Sequence, residues 1–272
     1  MARFIVGDIH GCWDSLTALV AQLHLAPGDR LWSTGDLVGG GPRSLEVLRW
    51  ARTRHAAGAF EAVLGNHDLS LVARAAGIGK GRIPDELVEV ASAADAAELL
   101  DWLRRRPLLV HDGEVVLVHA GLHPAWSLAR ANALAREVEA ELASARWHEL
   151  VARSLAWRGT WSDALGRDDR LACALDVFVT VRMVDADGNP CRSYKGPPRD
   201  APPGLVPWFH DRAAEAARIV FGHWAALGLA PGLRHIGLDS GCAWGGALTA
   251  YDPDTGRFVA QPALEPIARG RR

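Results

Sequence analysis

Gly7-Asp8-Ile9-His10-Gly11 follows the apolar run Phe4-Ile5-Val6, and this junction decides how the chain is read. The β-branched and aromatic run predicts a buried strand, and the glycines flanking the polar pair suit a tight exit turn. Asp8 and His10 then stand at the strand's C-terminal edge, where open α/β sheets collect their ligands. A carboxylate and an imidazole two residues apart in such a place read as the opening of a metal site.

The same grammar repeats downstream. Leu16, Leu19, Val20 and Leu23 fall at helical spacing, capped by Asp14 or Ser15 and stopped before Pro27-Gly28. Leu31-Trp32-Ser33-Thr34 predicts a second strand running into Gly35-Asp36, and Pro42 opens a helix carrying Leu45, Leu48 and Ala51. Phe60 to Leu64 predicts a third strand that delivers Gly65-Asn66-His67-Asp68. Strand, polar loop and helix in succession imply a parallel βαβ sheet with its functional loops on one edge. Asp112-Gly113 predicts a hairpin whose second strand ends in His119-Ala120-Gly121, and Ile219-Val220-Phe221 leads to Gly222-His223-Trp224.

Between these landmarks, residues 69–106 read as mostly helical and are expected to cap the site, and 125–155 as one or two exposed amphipathic helices. No element is assigned to 157–172, where Trp157 and Trp161 are expected along the cleft. Val177 to Val184 alternates and predicts a strand, turned by Asp187-Gly188; the proline-rich span 197–207 predicts a loop. Late strands at 236–238, 247–250 and 258–260 are expected to pair as an antiparallel closing sheet, and the tail Gly270-Arg271-Arg272 to be disordered. The expected organisation is a single domain over 1–272, with 69–106 and 125–172 as helical cap or insert segments.

A chain of 272 residues with 49% hydrophobic content can bury a full core, and its formal charge of -2 provides no global basic field for nucleic acid, leaving only a local basic patch open. The four cysteines are widely spaced without a C-x-x-C pair, which argues against a zinc knuckle or a disulfide framework. Neither a leader nor an apolar run approaching the ~18 residues of a membrane span is present, so the expected location is cytoplasmic, away from any membrane. Oligomeric state is not legible.

Asp8, His10, Asp36, Asn66, His67, Asp68, His119 and His223 all follow apolar strands. Carboxylates with neutral imidazoles and no thiolate suit divalent manganese, iron, zinc or cobalt. A shared Asp36 bridging two ions ~3.5–4 Å apart would hold a hydroxide between them, the arrangement of two-metal hydrolysis.

In order and spacing these clusters resemble the calcineurin-like metallophosphoesterase superfamily, whose strand-end motifs run G-D-x-H-G, G-D, G-N-H-D/E, H-A-G and G-H. The resemblance implies an α/β fold, an αββα sandwich of two mixed β-sheets flanked by helices with a helical cap. It also implies that Asp8, His10 and Asp36 bind one metal while Asp36, Asn66, His119 and His223 bind a second, manganese being the first expectation and cobalt, iron or zinc the alternatives. His67 would protonate the leaving oxygen. Asp68 is grouped with it as catalytic, either orienting His67 or capping the next helix.

Over nearly its whole length the chain further resembles the bacterial symmetrical diadenosine tetraphosphate hydrolases, through Gly35-Asp36-Leu37-Val38, Trp102-Leu103-Arg104-Arg105, Pro207-Trp208-Phe209, Phe221-Gly222-His223-Trp224 and Leu238-Asp239-Ser240-Gly241-Cys242-Ala243-Trp244-Gly245-Gly246. That implies symmetrical hydrolysis of a dinucleoside polyphosphate to two ADP. One departure stands out: this family usually carries an arginine before Gly-Pro in the loop after Gly-Asp, and here Gly40 occupies the place. Restoring it as Gly40→Arg is expected to raise activity if the cation matters. Arg182 and Lys195 are the candidates for substrate phosphates, and Trp224 and Trp244 for stacking on a base. The competing functions are a serine/threonine protein phosphatase, hydrolysis of nucleoside-polyphosphate caps at RNA 5′ ends, and a dinucleotide sensor without turnover.

Overall fold

The computed structural model describes residues 2–79, 81–210, 212 and 217–266, so the tail expectation at Gly270–Arg272 lies outside the described residues. The chain opens as β1 (Arg3–Val6), α1 (Trp13–Leu23), β2 (Arg30–Ser33), α2 (Ser44–Ala56) and β3 (Phe60–Ala62). Three helices follow, α3 (Asn66–Ala75), α4 (Asp85–Ser92) and α5 (Ala96–Arg104), then the hairpin β4 (Leu109–Asp112) and β5 (Val115–Val118). Helices α6 (Leu128–Ala143), α7 (Trp147–Ala156) and α8 (Arg167–Thr180) lead to short strands β6 (Met183–Val184), β7 (Pro190–Cys191) and β8 (Val206–Pro207). The chain continues through β9 (Arg218–Phe221), β10 (Ala230–Pro231), β11 (His235–Gly237), β12 (Ala247–Tyr251) and β13 (Phe258–Pro262).

Two five-stranded mixed sheets result, in the orders β13-β12-β1-β2-β3 and β10-β11-β9-β5-β4, with β7-β6-β8 as a small third sheet. Strands β1, β2 and β3 are parallel to one another, as are β5, β9 and β11. Each sheet therefore points several strand ends at one edge, and that edge receives every motif loop.

Three apolar layers hold the sheets. Ile5, Trp32 and Val63 from the first sheet meet Leu117, Val220 and Ile236 from the second in the space between them. On the outside of the first sheet, Phe4, Val6 and Leu31 pack against Leu16 and Leu19 of α1, Leu48 of α2 and Leu99 of α5. On the outside of the second, Val116, Val118 and Ile219 pack against Leu134 of α6, Val151 of α7 and Leu175 of α8. Each fully buried Leu, Ile or Val in these layers contributes about 1.5–3 kcal/mol relative to exposure. Helices α4 and α5 thus cover the outside of the first sheet and α6 to α8 that of the second, while α3 gives Leu71 and Val72 to the one layer and Leu69 and Ala73 to the other.

Three expectations need correction. The alternating stretch 177–184 is not a strand: α8 runs to Thr180 and only Met183–Val184 is extended. From Leu171 to Val179 every residue of α8 is buried, so the helix lacks the polar face that would mark its period, and packing overrides the β-propensity of its valines. The late strands do not form one antiparallel closing sheet. Strand β11 joins the second sheet parallel to β9, whereas β12 and β13 complete the first. Trp157 and Trp161 pack on the core beneath α6–α8, Trp161 edge-on to Trp126 at 4.9 Å, and not along the cleft.

Candidate metal centre

The parallel strands deliver the site. Asp8 and His10 follow β1, Asp36 follows β2, Asn66 and His67 open α3 after β3, His119 follows β5 and His223 follows β9. Their convergence requires unusual backbone: His10, Asp36 and His223 have φ of 52°, 45° and 64°, three of the four positive values at non-glycine positions among the described residues. Residues held there cost of order 1–3 kcal/mol each, a strain that clusters at functional sites. Gly222 meets a steric demand as well, since a Cβ there would lie 1.8 Å from Asp8 Oδ1.

Three of the site histidines each spend one nitrogen on a main-chain carbonyl. His119 Nδ1 lies 2.7 Å from Thr34 O, His223 Nε2 lies 3.1 Å from Thr180 O, and His10 Nδ1 lies 3.4 Å from Val38 O. A carbonyl only accepts, so these nitrogens carry the protons and the opposite nitrogens present lone pairs. Those lone pairs face acceptors. Asp36 Oδ2 is 3.7 Å from His10 Nε2 and 3.6 Å from His119 Nε2. Asn66 Oδ1 is 3.1 Å from His119 Nε2 and 2.7 Å from His223 Nδ1. Oxygen and nitrogen lone pairs gathered this closely repel one another unless a cation lies among them.

The donor chemistry therefore fits divalent metal ions. Asp36, His119 and His223 offer ligand atoms within 4.8 Å of one another, and so do His10, Asp36 and His67. Asp8 stands beside the second group, its Oδ2 4.0 Å from His10 Nε2. Neutral imidazoles are favoured: burial pushes His119 and His223 below the ordinary histidine value, His223 far below, with Arg182 and His119 adding to it. Burial raises Asp8, as do the charges of Asp239 and Asp36. Burial works to raise Asp36 too, yet His119, His67 and His10 outweigh it and hold that carboxyl below its usual value.

Other side chains surround this centre in a cavity of about 520 Å³ lined by Arg182, Lys195, Trp224, Asp239 and Trp244 among others. Trp244 is 45% exposed, but Trp224 is 2% exposed and donates its indole N–H to Gly196 O at 3.1 Å. Trp224 ties the 194–200 loop down and offers no open face to a base. Arg182 donates to His223 O at 3.2 Å.

Asp68 does not line the cleft. Its Oδ1 accepts from the amides of Leu37 and Val38 at 2.9 and 3.2 Å, and its Oδ2 from Gly65 N at 3.1 Å, so it joins the Asp36 loop to the start of α3. Gly40, where relatives are expected to carry an arginine, occupies a tight place. Its φ is +97°, and a Cβ would lie 2.9 Å from that of Ala243 and 3.6 Å from that of His10. The approach to Ala243 is closer than side chains make, so a larger residue at this φ requires Ala243 or the Gly40 loop to shift, whereas the distance to His10 is ordinary contact.

Sequence reading missed Asp239, which is 5% exposed and follows β11 at the same sheet edge. The signal was present, since Ile236-Gly237-Leu238-Asp239 repeats the pattern of an apolar strand running into an aspartate. The four cysteines are free; Cys12, Cys242 and Glu265 form a buried group elsewhere, with both Glu265 oxygens taken by Ser15.

Comparison with known proteins gives a consistent result. The calcineurin-like phosphoesterase family matches residues 1–227. A Chromobacterium violaceum protein named symmetrical bis(5′-nucleosyl)-tetraphosphatase is 42% identical, covering 96% of this chain and 95% of its own length. One of the same name from Citrobacter koseri is 42% identical over 100% of this chain and 98% of its own. A crystal structure described as a candidate diadenosine tetraphosphatase superposes with a TM-score of 0.66 at 25% identity, covering 97% of this chain and 94% of that one.

Proposed function

Because the chain belongs to the calcineurin-like phosphoesterase family, whose members work with divalent metal ions, we propose that it hydrolyses diadenosine tetraphosphate symmetrically to two ADP. The observation that carries this reading is the ring of lone pairs from Asp36, Asn66, His10, His119 and His223 beside the cations Arg182 and Lys195. Asp8, His10 and Asp36 would hold one ion and Asp36, Asn66, His119 and His223 the other, with manganese the expected metal. When bound, the ions supply Lewis-acid polarisation of the phosphorus centre and activation of a water molecule.

The chain's own residues do the rest. Arg182 and Lys195 grip non-bridging phosphate oxygens on one wall of the cleft. His67, whose main-chain N–H is fixed on Asp36 Oδ1 at 2.8 Å, hands a proton to the oxygen that leaves from the central anhydride. Asp68 acts from below, by holding the Asp36 loop against the start of α3. Trp244 stacks on one adenine. The four free cysteines are in keeping with a reducing compartment, and a cytoplasmic location is part of this reading.

Chelator-stripped protein incubated with diadenosine tetraphosphate, with and without manganese, tests the reading by chromatography. Two ADP per substrate, formed only with metal, is the expected result. AMP with ATP, or inorganic phosphate from a phosphopeptide in place of ADP, would overturn it.

A further inference from the structure

Asp239 belongs to none of the groups whose ligand atoms converge, yet it is built into the cleft. It follows β11, beside the strand that delivers His223, and is 5% exposed. One oxygen is committed: Oδ1 accepts the main-chain N–H of Gly241 at 3.1 Å, which fixes the plane of the carboxylate. Oδ2 makes no protein hydrogen bond among the described residues, although the side chain lines the cavity that holds His10 and Asp36.

Its charge is felt on both sides. Of the charged neighbours of Asp8, Asp239 acts most strongly, and the same holds for Arg182. Its own strongest opposite charge is His10. No ion pair within 4.0 Å joins it to His10, His119 or Arg182 among the described residues, whereas Asp8 and Asp36 both come that close to His10. A carboxylate that lines a cation site without pairing with its ligands acts through an intervening water, and its charge still adds to the attraction for the ion.

We propose that Asp239 is a positioning residue for the first metal position, the one walled by Asp8, His10 and Asp36, setting its affinity from outside the ligand set through a water accepted by Oδ2. This rests on the two-ion reading above. It assigns the Leu238–Trp244 loop a second task besides presenting Trp244, because the Gly241 amide that begins its turn also aims the carboxylate.

Asp239→Asn tests it, since the amide keeps the shape and an oxygen for Gly241 N–H while removing the charge. Stripped wild type, D239N and D36N are titrated with manganese by calorimetry, and the thermal midpoints of the stripped proteins are measured alongside. Expected for D239N is a loss of about 10–100-fold in affinity at one of two ions, with the other within about twofold and the midpoint of the stripped protein unmoved. Wild-type affinities in D239N, with D36N impaired, would overturn the proposal alone. Complete loss of one ion would make Asp239 a direct ligand and also overturn it. Wild-type binding in D36N would remove the two-ion reading and the proposal with it. If D239N lowers the midpoint, Asp239→Ser, which keeps an acceptor for Gly241 without charge, must reproduce the selective loss.

Discussion

The main-chain N–H of His223 donates to Asp8 Oδ2 at 2.8 Å, so a residue leaving the second sheet locks the carboxylate that leaves the first. The other Asp8 oxygen accepts from Thr34 Oγ1 at 2.6 Å. Both donors come from strand ends, and together they orient a fully buried carboxylate before any ion arrives. This stitch is what makes one centre out of two sheets.

Thr34→Val removes one of the two donors at nearly constant volume. A hydrogen bond to a charged group contributes about 1.5–3 kcal/mol, and loss of such an orienting partner lowers metal affinity about 10–100-fold. Manganese titration and thermal denaturation should both report the change. Unaltered affinity would mean that His223 N–H alone suffices to aim Asp8.

Asp36→Asn keeps an oxygen for the His67 amide but neutralises the carboxylate shared by both clusters of donors. Turnover should fall by more than the ~100-fold typical of an outer partner, with little change in Tm. Wild-type rates would remove the shared-carboxylate account.

Gly40→Arg should lose stability and gain no activity. A non-glycine residue at this φ costs of order 1–3 kcal/mol, before the contact with Ala243, and Tm should drop by at least about 2 °C. A faster, equally stable variant would show that the loop can remodel to restore a phosphate-binding cation.

Trp244→Ala should raise KM and spare kcat, because stacking on a base holds substrate and transition state alike. At about 1–3 kcal/mol per stacked base the rise is roughly 5–150-fold, with kcat within about twofold. An equal fall in kcat and kcat/KM would assign Trp244 to the chemical step.

His123 predicts a pH effect on stability, away from the metal centre. Burial, with Arg212 beside it, pushes its pKa down to about 4, and its Nδ1 accepts from Ala125 N–H. Unfolded, a histidine titrates near ~6.5, so as pH falls from there toward 4 the unfolded chain takes up a proton that the native state refuses. Stability is full above the unfolded value and declines through that window, by at most ~1.4 kcal/mol per pH unit for one group. His235, also down at about 4, adds in the same direction. Denaturant melts of His123→Leu between pH 7 and pH 4 should show a shallower decline; an unchanged slope would exclude His123.

What was legible in the sequence was everything that repeats locally. Apolar runs ending in Gly-Asp, Gly-Asn-His and Gly-His announce strands and the residues at their tips, because a parallel strand must be apolar along its length and can be polar only where it ends. That logic located Asp8, His10, Asp36, Asn66, His67, His119 and His223, and applied once more it would have found Asp239. What only the tertiary structure decided lies where burial erases periodicity or where partners are distant in sequence. Helix α8 is buried all round and reads like a strand, so the Thr180 carbonyl at its end, which fixes the tautomer of His223, was invisible. Trp224 and Trp244 carry the same side chain, and only packing makes one a buried anchor and the other an open platform. The room at Gly40 is set by Ala243, some two hundred positions away in the chain, because steric space belongs to the folded surface and not to the residue that borders it.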